Sequence, residues 1–132
     1  MECIFASVMN KALLSIGTNE EREKNLVLCH QFLNKEFEDI HYSDTSVTSP
    51  YGATYKEDFL NQLAIIHTKK EKEEVVFLLK EAEKEIGRNP ADKNKGIVKI
   101  DIDLVIWNDK VLKPADITRS YIIDLLPSLQ ED

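Results

Sequence analysis

The clearest pattern of apolar and polar positions runs from Ile97 to Ile106, IVKIDIDLVI, where the two kinds of residue alternate. Successive side chains of a strand point to opposite faces, so this pattern predicts a strand that is buried on one side. The predicted apolar face carries Val98, Ile100, Ile102, Leu104 and Ile106. The opposite face carries Lys99, Asp101 and Asp103.

Three other stretches predict strands. Lys11 to Gly17 is a short apolar run closed by glycine, which is typical of a buried first strand. Ile40 to Ser46 predicts a second strand more weakly, and the apolar run from Phe59 to His67 predicts a third that pairs with it as a long hairpin. Between them, Thr48 to Gly52 carries the signals of an exposed turn, and loops of this kind often line sites.

Two stretches repeat apolar residues at helical spacing. Thr18 to Glu21 has the spacing of a capping box, which predicts a helix with Thr18 as N-cap that ends near residue 37. The second helix is predicted from Lys70 to Ile86, with Gly87 closing it. The predicted apolar stripes are Leu28, Cys29, Phe32, Leu33 and Phe37 in the first helix and Val75, Val76, Leu79, Ala82 and Ile86 in the second.

The remaining segments are connections. Residues 89–96, NPADKNKG, predict a flexible loop, Trp107 to Lys110 a turn, and Tyr121 to Leu126 a short closing helix or extended tail. The order strand, helix, strand, strand, helix, strand is that of a ferredoxin-like βαββαβ sandwich, an α+β fold whose antiparallel sheet is covered by helices. In this fold the first and fourth strands lie side by side.

Composition limits the classes of function. The chain has 132 residues, 42% of them hydrophobic, and we expect one domain over residues 11–132 after an N-terminal extension of residues 1–10. Its net charge of −7 argues against a nucleic-acid or membrane partner, and CIFASVM is too short for a membrane span. Cys3 and Cys29 do not have the spacing of a disulfide framework or metal cluster, so we expect a reducing cytoplasm. We also expect a monomer.

Asp101 and Asp103 are the candidate site on the charged strand face. Carboxylates two residues apart on a strand lie roughly 7 Å from each other and suit Mg²⁺ that is shared with phosphate oxygens. The solvent face of an antiparallel strand is an equally good explanation, although aspartate is disfavoured in strands. Asn61, an amide in an apolar run, must be hydrogen-bonded if buried, and a structural role for it is the simpler interpretation.

Five segments of the chain also resemble a known protein family. They are Leu14 to Asn19, Thr48 to Pro50, Asp58 to Gln62, Glu83 with Gly87-Arg88, and Ile100 to Asp103. In their order and approximate spacing they resemble 6-hydroxymethyl-7,8-dihydropterin pyrophosphokinase, from about residue 10 to the end. The resemblance implies the same fold and the transfer of the β,γ-diphosphoryl unit of ATP to the pterin hydroxymethyl group in folate biosynthesis.

The resemblance also implies a set of site residues. Asp101 and Asp103 would hold two Mg²⁺ ions that bridge the phosphates of ATP and the pterin hydroxyl. The pterin would meet Asn61, the backbone of Thr48, Pro50 and Tyr51, and the rings of Phe59 and Tyr121. Glu83 and Leu104 would contact the nucleoside, and Arg88 and Arg119 the phosphates, since arginine offers fixed, bidentate donors.

The chain departs from the family at three places. Lys95-Gly96-Ile97-Val98 replaces the usual Trp-Gly-Pro-Arg run, so Val98 stands where a phosphate-binding arginine is expected. Pro90 replaces a second arginine, and a Pro-His segment is missing between Lys113 and Arg119. The candidate substitute cations are Lys93, Lys95 and Lys99, of which Lys99 is predicted to be catalytic. A solvated loop and strand face explains these lysines equally well.

Three hypotheses follow. The first is a divergent, Mg²⁺-dependent pterin diphosphokinase of reduced activity, whose loop of residues 88–96 closes over ATP. The second is a protein that binds pterin or nucleotide but has lost efficient transfer. The third, a structural interaction domain, leaves the aspartate pair and Asn61 unexplained.

Overall fold

The computed structural model describes residues 9–49, 57–117 and 119–129, so Pro50 and Tyr51 of the predicted pterin loop lie outside the described residues. The strands are β1 (Asn10–Thr18), β2 (Asp39–Thr48), β3 (Phe59–Thr68), β4 (Asp101–Trp107) and β5 (Lys110–Val111). The α-helices are α1 (Arg22–Glu36), α2 (Lys72–Ile86), α3 (Pro114–Ile117) and α4 (Ser120–Leu125). Short 3₁₀ helices span Pro90–Lys95 and Leu126–Ser128.

The strands form one antiparallel sheet in the order β2-β3-β1-β4-β5. The hairpin of β2 with β3 and the pairing of β1 with β4 confirm the predicted βαββαβ arrangement and the α+β class. The turn at Asn108 and Asp109 is also confirmed, and it leads into β5, a short strand that the sequence pattern did not predict. No helix in the described part of the chain is long and apolar enough to cross a membrane.

Helices pack on both faces of the sheet. The helices α1 and α2 pack on the first face, where Leu14, Ile16, Leu79 and Ile102 are fully or almost fully buried. The C-terminal helix α4 packs on the second face and brings Tyr121, Ile122 and Leu125 against Leu13, Leu63, Ile65 and Val105. Because Tyr121 lies on this second face, α4 sets one wall of the site described below.

The predicted capping box at Thr18 is wrong. Thr18 is fully buried as the last residue of β1, paired with Leu60, and α1 begins only at Arg22 after Glu21 in a left-handed conformation (φ 41°). The side chain of Asn19 binds a distant segment instead, because it accepts from the backbone N–H of Val98 at 2.6 Å and donates to the carbonyl of Gly96 at 2.9 Å. By contrast Gly87 closes α2 as predicted, with φ 113° and an N–H bonded to the carbonyls of Glu83 and Lys84.

The fourth strand begins later than predicted. It starts at Asp101 rather than Ile97, because Val98 is hydrogen-bonded to Asn19 and Ile97 to the carbonyl of Asp92 instead of to a neighbouring strand. The alternation holds at Ile102 and Leu104 but fails at Ile106, which packs on the second face. A β-bulge causes the change, since the register to β1 shifts between Leu13 and Leu14 and the extra residue reverses the pattern.

The segment that the sequence predicts to be a flexible loop is instead a 3₁₀ helix, Pro90–Lys95. Asn89 caps it by accepting from the N–H of Ala91 at 2.9 Å, and Gly96 ends it with φ 71°. Together with the contacts of Asn19, these bonds give the segment a defined position beside the start of β4.

Candidate active site

A cavity of about 260 Å³ lies on the second face of the sheet, near the end of β1. Its residues come from β1, β2, β3, β4, α4 and the connections that flank β4 and α4. They are Ser15, Gly17, Thr48, Phe59, Asn61, Arg88, Val98, Asp101, Arg119 and Tyr121. The cavity therefore brings together most of the residues that the resemblance assigns to the pterin with Asp101 and both predicted phosphate arginines.

Asn61 is the buried polar group on one wall of this cavity, with 5% of its surface exposed. It lies opposite Gly17 on β1 and Ser46 on β2, and its amide NH₂ donates to Thr48 Oγ1 at 2.8 Å and to the carbonyl of Ser46 at 3.2 Å. These donations fix the orientation of the amide. Its carbonyl oxygen makes no hydrogen bond within the described residues, so a ligand can use it.

Tyr121 closes the cavity from α4. Its hydroxyl lies 3.2 Å from Ser15 Oγ on β1, and this bond ties the helix to the sheet. Tyr121 is 8% exposed, and the buried ring forms a flat apolar wall with Phe59 on β3 as a second aromatic neighbour of the same space. A flat heterocycle that enters here meets aromatic faces and the oxygen of Asn61.

Asp101 and Arg88 form the charged end. Arg88 Nη1 donates to Asp101 Oδ1 at 2.8 Å and to the carbonyl of Ile100 at 3.2 Å. Burial alone would raise the pKa of Asp101, but the hydrogen bonds with Asp103 and Arg88 outweigh it and lower the pKa below its usual value. Asp101 is therefore ionised over the physiological range, which a metal ligand requires.

Glu83 on α2 binds the outer edge of β4 next to the aspartates. In the described residues β5 covers the outer edge of β4 only at Ile106 and Trp107, so this edge has no neighbouring strand at Ile102. There the backbone N–H of Ile102 donates to Glu83 Oε2 at 2.7 Å. The same carboxylate lies 3.1 Å from Lys80 Nζ and 3.4 Å from Arg88 Nη1, and the residue is 5% exposed. Glu83 thus holds the backbone between the aspartates and also orients Arg88. Its predicted contact with the nucleoside stays a prediction.

Asp103 faces lysines that the sequence pattern did not connect with the site. Lys113 Nζ lies 3.4 Å and Lys80 Nζ 3.9 Å from Asp103 Oδ1. Burial and the neighbouring charge of Asp101 nevertheless raise the pKa of Asp103 to about 6. Lys80 lies three residues before Glu83 on the same helix, and that spacing was the available signal; no sequence pattern indicated Lys113.

The remaining predicted residues lie elsewhere. Lys99 does not share a strand face with the aspartates as predicted, since its Nζ lies 3.4 Å from Asp92 Oδ2 and donates to the carbonyl of Gly87 at 3.3 Å. Leu104 is a core residue, 5% exposed, and it also borders a separate groove that Asp103 lines. Val98 lines the cavity instead of entering the apolar core, because the strand has not yet begun there.

The aspartate pair has the chemistry of a Mg²⁺ site that is completed by phosphate. In the described residues no cluster of three or more histidine, cysteine or acidic side chains is arranged to hold a metal alone. Mg²⁺ is commonly bound by one or two carboxylates together with substrate phosphates. The two aspartates can supply the carboxylates of such a site.

The raised pKa of Asp103 predicts how the free energy of unfolding depends on pH. A folded-state pKa near 6 lies above the ordinary value of 3.8, so the ionised side chain destabilises the native state as the pH rises through that interval. We expect Asp103→Asn to raise the free energy of unfolding by roughly 1 to 2 kcal/mol above pH 7, with the gain vanishing near pH 4. Urea unfolding measured from pH 4 to 8 checks this. Asp109→Asn in the exposed turn is the control, and a gain that does not depend on pH would contradict the prediction.

The fold and the site together indicate a class of protein. The α+β sheet carries a carboxylate pair beside arginines, next to a cavity suited to a flat heterocycle. This combination is typical of an enzyme that transfers a phosphate group. Comparison with family models then supplies the family. The model described as 7,8-dihydro-6-hydroxymethylpterin-pyrophosphokinase matches residues 13–131, so the chain belongs to this family of diphosphokinase transferases in folate synthesis. A search of curated proteins found no match.

Proposed function

We propose that this chain transfers the β,γ-diphosphoryl unit of ATP to the hydroxymethyl group of 6-hydroxymethyl-7,8-dihydropterin, in a reaction that depends on Mg²⁺. The observation that supports this proposal best is the continuity of the cavity, whose walls include Asn61 and Tyr121 as well as Asp101 and Arg88. A pterin held by the first pair would present its hydroxymethyl group toward the second pair.

The pterin would be recognised by shape and by one buried amide. Its ring would lie against Phe59 and Tyr121, and a ring N–H would donate to the carbonyl oxygen of Asn61, whose NH₂ is already committed to Thr48 and Ser46. A buried amide of fixed orientation discriminates between heterocycles, because a ligand that cannot pair with it leaves the amide unsatisfied.

The nucleotide would occupy the separate groove of about 280 Å³ that Asp103 lines. Apolar side chains in this groove can receive a base, and lysines at its border can receive phosphates. Its lining residues are Lys72, Val76, Leu79, Lys80, Ile102, Asp103, Leu104, Leu112 and Lys113. This placement keeps Leu104 and the neighbourhood of Glu83 beside the nucleoside, and would bring the phosphates next to Asp103.

In the transfer, the pterin hydroxyl oxygen forms a bond to the β-phosphorus, and the bond from that phosphorus to the α,β-bridging oxygen breaks. AMP leaves with the electron pair, the hydroxyl proton passes to solvent water, and the products are AMP and the pterin diphosphate. Mg²⁺, when bound by Asp101 and Asp103, supplies neutralisation of phosphate charge. Arg88 and Arg119 would orient the phosphates, and the aromatic walls would exclude water from the reacting atoms.

Val98 supports a second candidate function, a protein that binds the ligands but transfers slowly. The residue lines the cavity at the place where the family resemblance expects an arginine, so one phosphate-directed cation is missing there. Titrating the protein with a non-hydrolysable ATP analogue and with the pterin, with and without Mg²⁺, tests the shared binding step. The proposal expects both ligands to bind and the nucleotide to require Mg²⁺, whereas binding of neither would contradict both candidates.

Truncating the cavity amide should affect the pterin selectively. We expect Asn61→Ala to weaken pterin binding by roughly 1 to 3 kcal/mol, because a buried hydrogen-bonding group of the ligand is then left unmet. Affinity for the ATP analogue should change little. Calorimetric titration with each ligand checks this, with Asn34→Ala as a control, since Asn34 only accepts a bond from the Tyr42 hydroxyl away from the cavity. Equal weakening of both ligands would show that Asn61 supports the scaffold.

Adding one methyl group at Gly17 should block the same space. A Cβ there would lie 3.6 Å from Asn61 Oδ1 and 3.7 Å from Phe59 Cδ1, an ordinary contact that the fold tolerates. We therefore expect Gly17→Ala to unfold like wild type but to weaken pterin binding about tenfold, since the methyl group occupies volume that the ring needs. Pterin titration beside thermal unfolding checks this. Unchanged pterin affinity would place the ring elsewhere.

A further inference from the structure

Each acidic side chain around β4 is paired with a cation of the chain itself. Asp101 binds Arg88, Asp103 lies beside Lys113 and Lys80, and Glu83 lies beside Arg88 and Lys80. The cluster thus contains as many basic as acidic side chains and is neutral overall. An incoming ion therefore finds these charges already paired.

Arg88 makes the shortest of these contacts, with the Asp101 oxygen that a metal ion would use. A single nitrogen, Nη1, lies 2.8 Å from Asp101 Oδ1, 3.2 Å from the carbonyl oxygen of Ile100 and 3.4 Å from Glu83 Oε2. This nitrogen lies among oxygen atoms in the manner of a bound cation, and one of those oxygens belongs to the carboxylate that suits a metal. A metal ion that takes Asp101 Oδ1 must compete with the guanidinium.

We propose that Arg88 is a built-in competitor for the metal site, so that a divalent metal ion binds weakly by itself and tightly only together with a phosphate group that receives the guanidinium. The phosphate half of this inference rests on the proposed function. The metal half rests on the contacts of Asp101 alone.

Charge balance gives the reason for the coupling. A nucleotide without metal brings several negative charges to a cluster whose cations are already paired with its three carboxylates. A metal ion without nucleotide displaces Arg88 from Asp101 and leaves it to share the carboxylate of Glu83 with Lys80. When both arrive, the metal takes the carboxylates and Arg88 takes phosphate, so each charge keeps a partner. By linkage, each ligand raises the affinity for the other by the same factor.

Mn²⁺ titration followed by electron paramagnetic resonance tests the inference, because it counts free metal and requires no catalysis. After subtraction of the Mn²⁺ that the analogue chelates in a titration without protein, we expect wild type to bind Mn²⁺ at least about tenfold more tightly with a non-hydrolysable ATP analogue than without it, the range of common coupling energies. Arg88→Met removes the competing charge, so it should bind Mn²⁺ alone roughly tenfold more tightly than wild type, and the effect of the analogue should shrink. Arg88→Gln is a second variant in case Arg88→Met folds poorly.

Lys84→Met is the matched control, since Lys84 lies on α2 just before Arg88 but pairs with Glu81 and is well exposed. It should behave like wild type. Wild type that binds Mn²⁺ equally well with and without the analogue would overturn the inference. So would arginine variants that fold but bind Mn²⁺ alone no more tightly than Lys84→Met does. Failure of the proposed function shows itself separately, as absence of pterin-dependent AMP formation, and leaves the comparison with metal alone intact.

Discussion

Asp101→Ala and Asp103→Ala are expected to remain folded and to lose Mg²⁺-dependent nucleotide binding. The side chains are 37% and 21% exposed, and both lie at the site end of β4, outside the apolar clusters that stabilise the sheet. The proposal assigns both carboxylates to the metal, so the affinity for an ATP analogue in Mg²⁺ should fall at least about 100-fold, beyond the typical cost of losing a supporting group. Calorimetric titration beside urea unfolding measures both quantities.

Asp109→Ala serves as the control for these variants. Asp109 is an exposed carboxylate in the turn that follows the same strand, so its loss should alter neither quantity. If Asp101→Ala or Asp103→Ala lost several kcal/mol of stability while nucleotide affinity stayed unchanged, the carboxylates would be structural and the metal assignment would be wrong.

Glu83→Ala should destabilise the protein by roughly 2 to 4 kcal/mol. The substitution leaves the buried N–H of Ile102 without its acceptor and removes a carboxylate that Arg88 and Lys80 both approach. Glu83→Gln retains an oxygen that can accept from Ile102, so it should keep most of the stability that Glu83→Ala loses. Chemical denaturation of the two variants, beside Glu81→Ala on the same helix, measures the difference.

The same variants separate two roles for Glu83. A positioning role predicts that Glu83→Gln keeps its stability but weakens binding of the nucleotide phosphates, because Arg88 and Lys80 lose a charged partner. If Glu83→Ala kept full stability and lost only nucleotide affinity, Glu83 would act as a direct nucleoside contact, as the family resemblance implies, and not through β4.

The fold was predictable because its signals are local. The order of strands and helices follows from residue periodicity, and Gly87 ends α2 where a residue with positive φ is required. The pairing of β1 with β4 then follows from the βαββαβ order. Each of these inferences needs only neighbouring residues in the sequence or a rule about chain topology.

The errors arose where distant segments outweigh local preference. Thr18 has the spacing of an N-cap, but pairing with Leu60 extends β1 through it. Asn19 holds Val98 outside the sheet, so the alternation at Ile97 to Ile100 does not mark the strand that it suggests. Ile106 changes face because of a bulge against β1, and a bulge cannot be detected from one strand alone.

The residues of the candidate site also fall into two groups, those that the sequence indicates and those that only the packing brings together. Spacing and family resemblance indicated Asp101, Asp103, Asn61 and Arg88, and the structure brings them to one end of the sheet, although their roles stay predictions. Lys80 and Lys113 reach Asp103 only through the packing of α2 and the path of the chain after β5. Lys99 suits the role of substitute cation only if the strand is regular, and because it binds Asp92 and Gly87 instead, Lys80 and Lys113 are the better candidates.

Pterin-dependent formation of AMP tests the central claim most directly. Purified protein is incubated with ATP, Mg²⁺ and 6-hydroxymethyl-7,8-dihydropterin, and AMP and the pterin diphosphate are quantified by chromatography for wild type and Asp101→Ala. The account predicts equal amounts of the two products from wild type, at a rate well above that of the variant and only when the pterin is present. A wild-type rate indistinguishable from that of Asp101→Ala, despite tight pterin binding, would contradict the claim and favour the binding protein.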